Sequence, residues 1–316
     1  MPSQSELRQQ ITQQIVSALS ENQIPWRCPW RKSPNAGRPT SVATLRPYQG
    51  INPLLAQLHA HKFGFKSKFW GTFQQWEKWG CKVKRRPDGV EPGEWGCKII
   101  LYKPIQKKVT DEADGEDERD FFVMKTFCVF NAEQCEGQVI DNFLVTESQD
   151  DASTWSDFGP AEELIAATKA EIYHGGERAF YARPVPDDSF PNHRDGDYVW
   201  LPNKERFESM AAYYETAMHE LSHWAEPRLG WDWKNETYAM GELVAELASC
   251  MVAQELGVPN SGELTNHASY LQSWIKAMNG DSRFIFKAST QASKVTDFLL
   301  SFVQTNQPQP EQAEVV

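Results

Sequence analysis

The chain has 316 residues, with 32 Lys and Arg against 43 Asp and Glu for a formal net charge of −11. That length exceeds what one hydrophobic core usually fills, so about two domains are expected. No run of eighteen apolar residues occurs and the N-terminal stretch is polar, so a membrane span and a signal peptide are not expected and the location reads as cytoplasmic. The six Cys (28, 81, 97, 128, 135 and 250) form no C-x-x-C motif, which argues against a disulfide framework or a thiolate zinc site.

In chain order, Glu6 to Glu21 has the spacing of an amphipathic helix, carried by Leu7, Ile11, Ile15, Val16 and Leu19. A Pro/Arg-rich segment over 22–46 leads to a second helix beginning near Gly50-Ile-Asn-Pro, and Thr72 to Trp79 predicts a short third one. Lys98 to Lys103 and Phe121 to Phe130 read as strands, with Val109 to Asp120 between them as an acidic, solvated loop. A linker rich in Asp, Ser and Thr covers 146–159, after which a helix starts at Pro160. Arg178 to Tyr181 and Asp197 to Leu201 read as two more strands. A long helical pattern follows from about Glu205 to Ala225, where Pro227 is expected to stop it, and a further helix runs from Glu236 to near Gly257. Residues 306–316 are a polar tail, expected to be disordered.

The charge is unevenly spread. Residues 1–103 carry 16 Lys and Arg against 6 Asp and Glu, whereas the remaining 213 carry 16 against 37. The basic region also holds six of the twelve Trp, interleaved with its cations. Single-stranded nucleic acid is typically held by a cationic groove along the phosphates and by aromatic faces that stack on bases. The candidates are Lys66, Lys68, Lys82, Lys84, Arg85 and Arg86 for phosphate, with Trp70 and Trp76 for stacking. For any one Trp, a place in the core is the commoner outcome. Neither a helix-turn-helix nor a zinc finger is evident, which turns the expectation away from duplex recognition.

The sharpest motif is His219-Glu220-Leu221-Ser222-His223. At 3.6 residues per turn, His219 and His223 stack on one helix face and can share a metal ion, zinc by ligand type or another divalent metal such as manganese. Glu220 sits beside them, where it can take a proton from the attacking water. The bland alternative is an exposed helix face that happens to carry two His. On the next helix Glu242 and Glu246 are again four apart, so one can ligate while the other orients a ligand His. Glu226, Asp232 and Glu236 are weaker ligand candidates. His174, Tyr181 and Tyr238 are candidates for stabilising an oxyanion, and Tyr198 to Leu201 for a strand edge that receives an extended peptide.

The nineteen residues from His223 to Glu242 resemble the spacing of gluzincin peptidases, which makes Glu242 the third ligand and Glu246 the residue behind a ligand His. A wider resemblance is to the plasmid antirestriction proteins of the ArdC type, whose N-terminal module also occurs in TraC-type primases. It rests on Ile24-Pro-Trp26, Tyr48-Gln-Gly-Ile-Asn52-Pro-Leu-Leu55, Trp70-Gly-Thr-Phe-Gln74, Val129-Phe-Asn-Ala-Glu-Gln134, Ala179-Phe-Tyr181, the two-His motif and Tyr238-Ala-Met-Gly-Glu242-Leu-Val-Ala-Glu246. It implies an α+β chain in two parts: a mixed α/β domain over 1–145 that binds single-stranded DNA, and a mainly helical zincin-like metallopeptidase domain over 160–305. It also implies protection of incoming conjugative plasmid DNA from host restriction, with a restriction enzyme or another protein as partner or substrate and no membrane partner. The rival reading is a non-enzymatic protein that coats DNA or occupies a restriction enzyme, its metal only stapling two helices. Two positions depart from the pattern: Gly241 stands where a Glu is frequent, and Trp224-Ala-Glu-Pro where Thr-Gly is commoner.

Overall fold

The computed structural model describes residues 3–27, 33–111, 115–146, 157–183, 196–232, 235–259, 261 and 268–304. Residues 147–156 of the expected linker over 146–159 and the whole tail over 306–316 lie outside them. The chain divides into two compact units, the first drawn from Met1–Cys28, Ser33–Glu147 and Leu271–Ser289 and the second mainly from Ser148–Tyr270 and Thr290–Val316.

The first unit opens with α1 (Gln4–Ser20), where Ser3 and Glu6 bond each other's backbone N–H in a capping box. Strand β1 (Thr40–Ser41) precedes α2 (Asn52–Phe63), which ends at Gly64 with φ of 74°. Strand β2 (Phe69–Gly71), helix α3 (Phe73–Lys78) and strand β3 (Lys82–Val83) follow. Strands β4 (Cys97–Asp111) and β5 (Gly115–Asn131) form a long hairpin, and β6 (Cys135–Glu136) pairs back to β3. The main sheet has the order β1-β2-β5-β4. The expected loop over 109–120 is mostly strand: pairing continues to Asp111 opposite Gly115, with Lys108 placed across from Glu118.

Four contacts fix this unit. Asn52 at the start of α2 donates to the Ile100 carbonyl at 2.7 Å and accepts the Ile100 N–H at 2.8 Å, which covers part of the β4 edge. At Gly71 a Cβ would lie 2.5 Å from Val42, so only glycine lets β2 pass. Trp26 is fully buried and meets Trp274 edge-on at 6.2 Å, and Thr12 donates to the Ser282 carbonyl at 2.9 Å. The segment Leu271–Ser289 is therefore part of the first unit's core, although it lies far along the chain.

The second unit contains α4 (Gly159–Thr168), β7 (Ile172–His174), β8 (Phe180–Ala182), β9 (Tyr198–Leu201), α5 (Met210–Arg228) and α6 (Tyr238–Leu256). Of α7 (Ala268–Gly280) and α8 (Phe284–Gln304), it takes the first three residues and the C-terminal part. Strand β9 is the middle of the sheet, parallel to β7 and antiparallel to β8. Tyr198–Leu201 is thus not the edge the sequence led us to expect; β8 is an edge, and β7 is too short for its alternation to be read. Helix α5 begins five residues later than expected, where Ser209 accepts the Ala212 N–H at 3.1 Å, and Lys204–Arg206 is a 3-10 turn. It also runs one residue past Pro227. A proline there removes only one donor, in the last turn, so little is lost. Helix α5 packs on α6 and on the sheet through Tyr214, Met218, Leu221, Leu243 and Leu247, all fully buried.

His59 in the first unit gives a pH test. Its ring is packed among Phe63, Phe65 and Trp70, and Nε2 donates to the Trp95 carbonyl at 3.3 Å. Burial pushes its pKa down to about 4, against the opposing pull of that carbonyl. Below pH 6.5 the unfolded chain takes up a proton that folded His59 refuses, so stability falls as pH drops from about 6.5 towards 4, by roughly 3 kcal/mol in all. Denaturant melts of wild type and His59→Gln over that range should converge as pH falls; a constant difference would contradict this.

Candidate metal centre

His219 and His223 project from one face of α5, with ring centroids 5.0 Å apart. Glu242, from the first turns of α6, reaches both: Oε2 lies 3.4 Å from His219 Nε2 and Oε1 lies 3.7 Å from His223 Nε2. One ligand-type atom from each of the three falls within a 4.8 Å cluster. Donors about 2.0–2.1 Å from a tetrahedral ion sit roughly 3.3–3.5 Å apart, so two imidazoles and a carboxylate at these separations fit a divalent cation. The local charge agrees. Glu220, Glu226, Glu242 and Glu246 are all buried around two imidazoles, an excess of negative charge that a cation offsets.

Glu220 lies next to the cluster, and the Tyr181 N–H of β8 donates to its carboxylate. Burial holds this carboxyl above the usual carboxylate range, against the pull of both imidazoles. Glu242 is held low: burial opposes ionisation, but its hydrogen bond with His219 and the charge on His223 outweigh it. His219 is raised to about 9; burial works against the charged form, and Glu242, Glu220 and Glu246 overcome it.

The other expected residues divide. Glu246 is buried, accepts the Cys250 thiol at 3.8 Å and contributes its charge to His219. The carboxylate that bonds His223 is Glu226, whose Oε1 is 3.1 Å from Nδ1. Sequence reasoning had Glu226 only as a weak ligand; its place three residues after His223 on the same helix was the available signal. Asp232 bonds Asn235, and Glu236 is half-buried. Among the oxyanion candidates, Tyr238 is 72% exposed, with its hydroxyl 2.9 Å from that of Tyr270 and bonded to Glu242. The Tyr181 hydroxyl donates to Asp197 at 2.7 Å, and Asp197 is gripped by both terminal nitrogens of Arg228 at 2.6 and 3.0 Å. His174 Nε2 pairs with the Tyr213 hydroxyl at 3.0 Å.

In the first unit Lys66, Lys82, Lys84, Arg85 and Arg86 are exposed and Lys68 is half-buried. Lys66 and Lys84 meet at one residue: the Lys66 N–H bonds the Glu133 carboxylate and Lys84 Nζ donates to the Glu133 carbonyl at 3.0 Å. Arg86 bonds the Val90 carbonyl, and Lys68 Nζ lies 5.4 Å from the Phe69 ring centre. Trp70 and Trp76 correct the expectation. Both are buried, the latter with Nε1 donating to the Phe130 carbonyl at 2.9 Å, so neither offers a face to a base. In α3 Trp76 alone is enclosed; Phe73 at the start of the helix and Trp79 at its C-cap remain 59% and 40% exposed.

The comparisons with known proteins follow the same division. Residues 5–130 match the N-terminal domain of anti-restriction factor ArdC, and residues 159–291 match a zincin-like metallopeptidase family. This is an α+β chain with a mixed N-terminal part and a mainly helical zincin-like part. The metal-free crystal structure of the antirestriction ArdC protein from the R388 plasmid superposes with a TM-score of 0.72 at 30% identity, covering 96% of this chain and 99% of that one. Its Mn(II)-bound structure gives 0.69 at 28% identity, covering 95% and 99%. The chain belongs to the ArdC antirestriction family. It is also similar to a DNA primase TraC of Escherichia coli, 34% identical over an alignment 324 residues long that covers 94% of this chain and 27% of the primase, so it spans about a quarter of that relative's length. No helix among the described residues is long and apolar enough to cross a membrane.

The burial of the two tryptophans is testable. Trp76→Ala should destabilise the protein by about 3–5 kcal/mol, whereas Phe73→Ala should change stability by less than about 1 kcal/mol. Urea denaturation checks both, and equal effects would mean that the helix faces are wrongly assigned.

Proposed function

We propose that the chain is an antirestriction protein whose second unit is a metal-dependent peptidase and whose first unit binds single-stranded DNA, together protecting incoming plasmid DNA. The observation that carries the peptidase reading is the convergence of His219, His223 and Glu242 beside a buried Glu220. These three residues would hold zinc or manganese; the Mn(II)-bound relative supports a divalent ion without choosing between them. Such an ion supplies Lewis acidity, polarising a carbonyl and making water more acidic.

The remaining work falls to side chains. Glu220, whose affinity for a proton is raised by burial, takes a proton from the attacking water and passes it to the leaving amine. The Tyr181 N–H holds that carboxylate in place beside the edge of β8, which among the described residues pairs with β9 alone, and there an extended peptide can add main-chain hydrogen bonds. The Tyr238 hydroxyl, exposed and bonded to Glu242, is the candidate best placed to turn towards a developing oxyanion.

For DNA, the basic charge of residues 1–103 and the exposed cations on β3 and the stretch after it supply phosphate contacts. Phe73 and Trp79 take the stacking role expected of Trp70 and Trp76. The primase name of one relative points to the same class of ligand.

Glu220→Gln should keep the fold and metal content but abolish peptide cleavage, because an amide cannot accept the proton. If plasmid protection in a conjugation assay survives unchanged in that variant, proteolysis is not the biological mechanism. Single-stranded DNA should bind more tightly than duplex, with log K falling linearly against log salt. Removing Lys84, Arg85 and Arg86 together should flatten that slope by about 2, at roughly 0.7 per phosphate. An unchanged slope would move the DNA contacts elsewhere.

A further inference from the structure

Glu226 is a buried carboxylate to which the chemistry above gives no task. Its side chain is 1% exposed, and it binds two partners on opposite sides. Oε1 lies 3.1 Å from His223 Nδ1, and Oε2 accepts from Arg183 at 2.8 Å. Arg183 directly follows β8, the edge strand whose Tyr181 N–H bonds Glu220. Across the interface α6 presents Gly241, where a Cβ would approach Oε1 only to 4.0 Å, so that helix leaves the carboxylate its space.

An ionised carboxylate only accepts hydrogen bonds, so the ring nitrogen that faces it must carry the hydrogen. In a neutral imidazole the other nitrogen is then bare. The bare atom is His223 Nε2, which faces Glu242 Oε1 at 3.7 Å. We infer that Glu226 is a positioning residue: it holds His223 with Nδ1 protonated and Nε2 aimed at the metal position. Arg183 balances the buried charge and ties this arrangement to the end of β8. The inference rests on the metal-binding reading of His219, His223 and Glu242. It gives Glu226 a role behind a ligand, since its Oε1 is engaged with Nδ1 while the other ring nitrogen faces Glu242.

The consequence is a mechanical link. The orientation of one ligand is set through a single ion pair by the strand along which a peptide would lie, and that strand also bonds Glu220. Displacing β8 would therefore disturb a metal ligand and the proton-accepting carboxylate together.

Mn2+ titration of the full-length protein tests this, with wild type, Glu226→Gln and His223→Ala compared and far-UV circular dichroism confirming that each is folded. Glu226→Gln should weaken Mn2+ binding by about 10–100-fold, while His223→Ala abolishes tight binding. Equal affinity of Glu226→Gln and wild type overturns the positioning role and leaves the metal site standing. A wild-type chain that binds no metal overturns both. A second measurement needs no variant: 15N NMR of the zinc-loaded wild type should show His223 protonated at Nδ1. A hydrogen on Nε2 instead overturns the inference even if Glu226→Gln fails to fold.

Discussion

The close packing of α5 on α6 is the constraint on which the rest depends. Two His on one helix offer only two donors, and the third comes from a helix that has to pass within side-chain reach. Small buried residues make that approach possible: Ala217 and Ser222 on α5, and Ala245 and Ala248 on α6, are fully enclosed, and Gly241 adds nothing to the interface at the site itself. Larger residues such as Met218, Leu221, Leu243 and Leu247 then fill the flanks and fix the register. The outcome is a 3.4 Å and a 3.7 Å separation between Glu242 and the two imidazoles. A shift of one residue along α6 would turn Glu242 by about 100° and take it out of reach.

Electrostatics sets a second condition on the same interface. Burying Glu220, Glu226, Glu242 and Glu246 so close together is unfavourable unless cations share the space. Arg183 supplies one from just past the edge strand, and His219 responds in the same sense, being raised to about 9. A divalent ion at the cluster would relieve the remaining excess and displace that proton. The strand, the two helices and the site are in this way held by one set of charges.

Much of the second unit was legible in the sequence because its signals are local. The i,i+4 His pair, the i,i+4 acid pair and the apolar stripe of α5 need only helical periodicity, and both helices are present, α6 within two residues of the expected bounds and α5 starting five residues later than expected. What escaped was non-local or short. Glu226 looked like a ligand because linear spacing cannot tell which side of an imidazole a carboxylate approaches. Strand β7 has three residues, too few to alternate, and without it β9 looked like an edge. In the first unit, Trp76 was drawn into the core by neighbours distant in the chain, Val42 and Phe130 among them, and Trp70 packs against His59 and Phe65, while the charge pattern that singled them out reports only on the surface around them. The contribution of Leu271–Ser289 to that unit is of the same kind: Trp274 shows its role only once Trp26 is beside it.

The central claim is that His219, His223 and Glu242 form one metal site with Glu220 beside it, and anomalous diffraction from crystals grown with Mn2+ or Zn2+ tests it most directly. The account predicts a single strong peak in the second unit, bonded to Nε2 of both His and to the Glu242 carboxylate, with Glu220 beyond bonding distance. A peak elsewhere, or an ion bonded by Glu220 in place of Glu242, would contradict it.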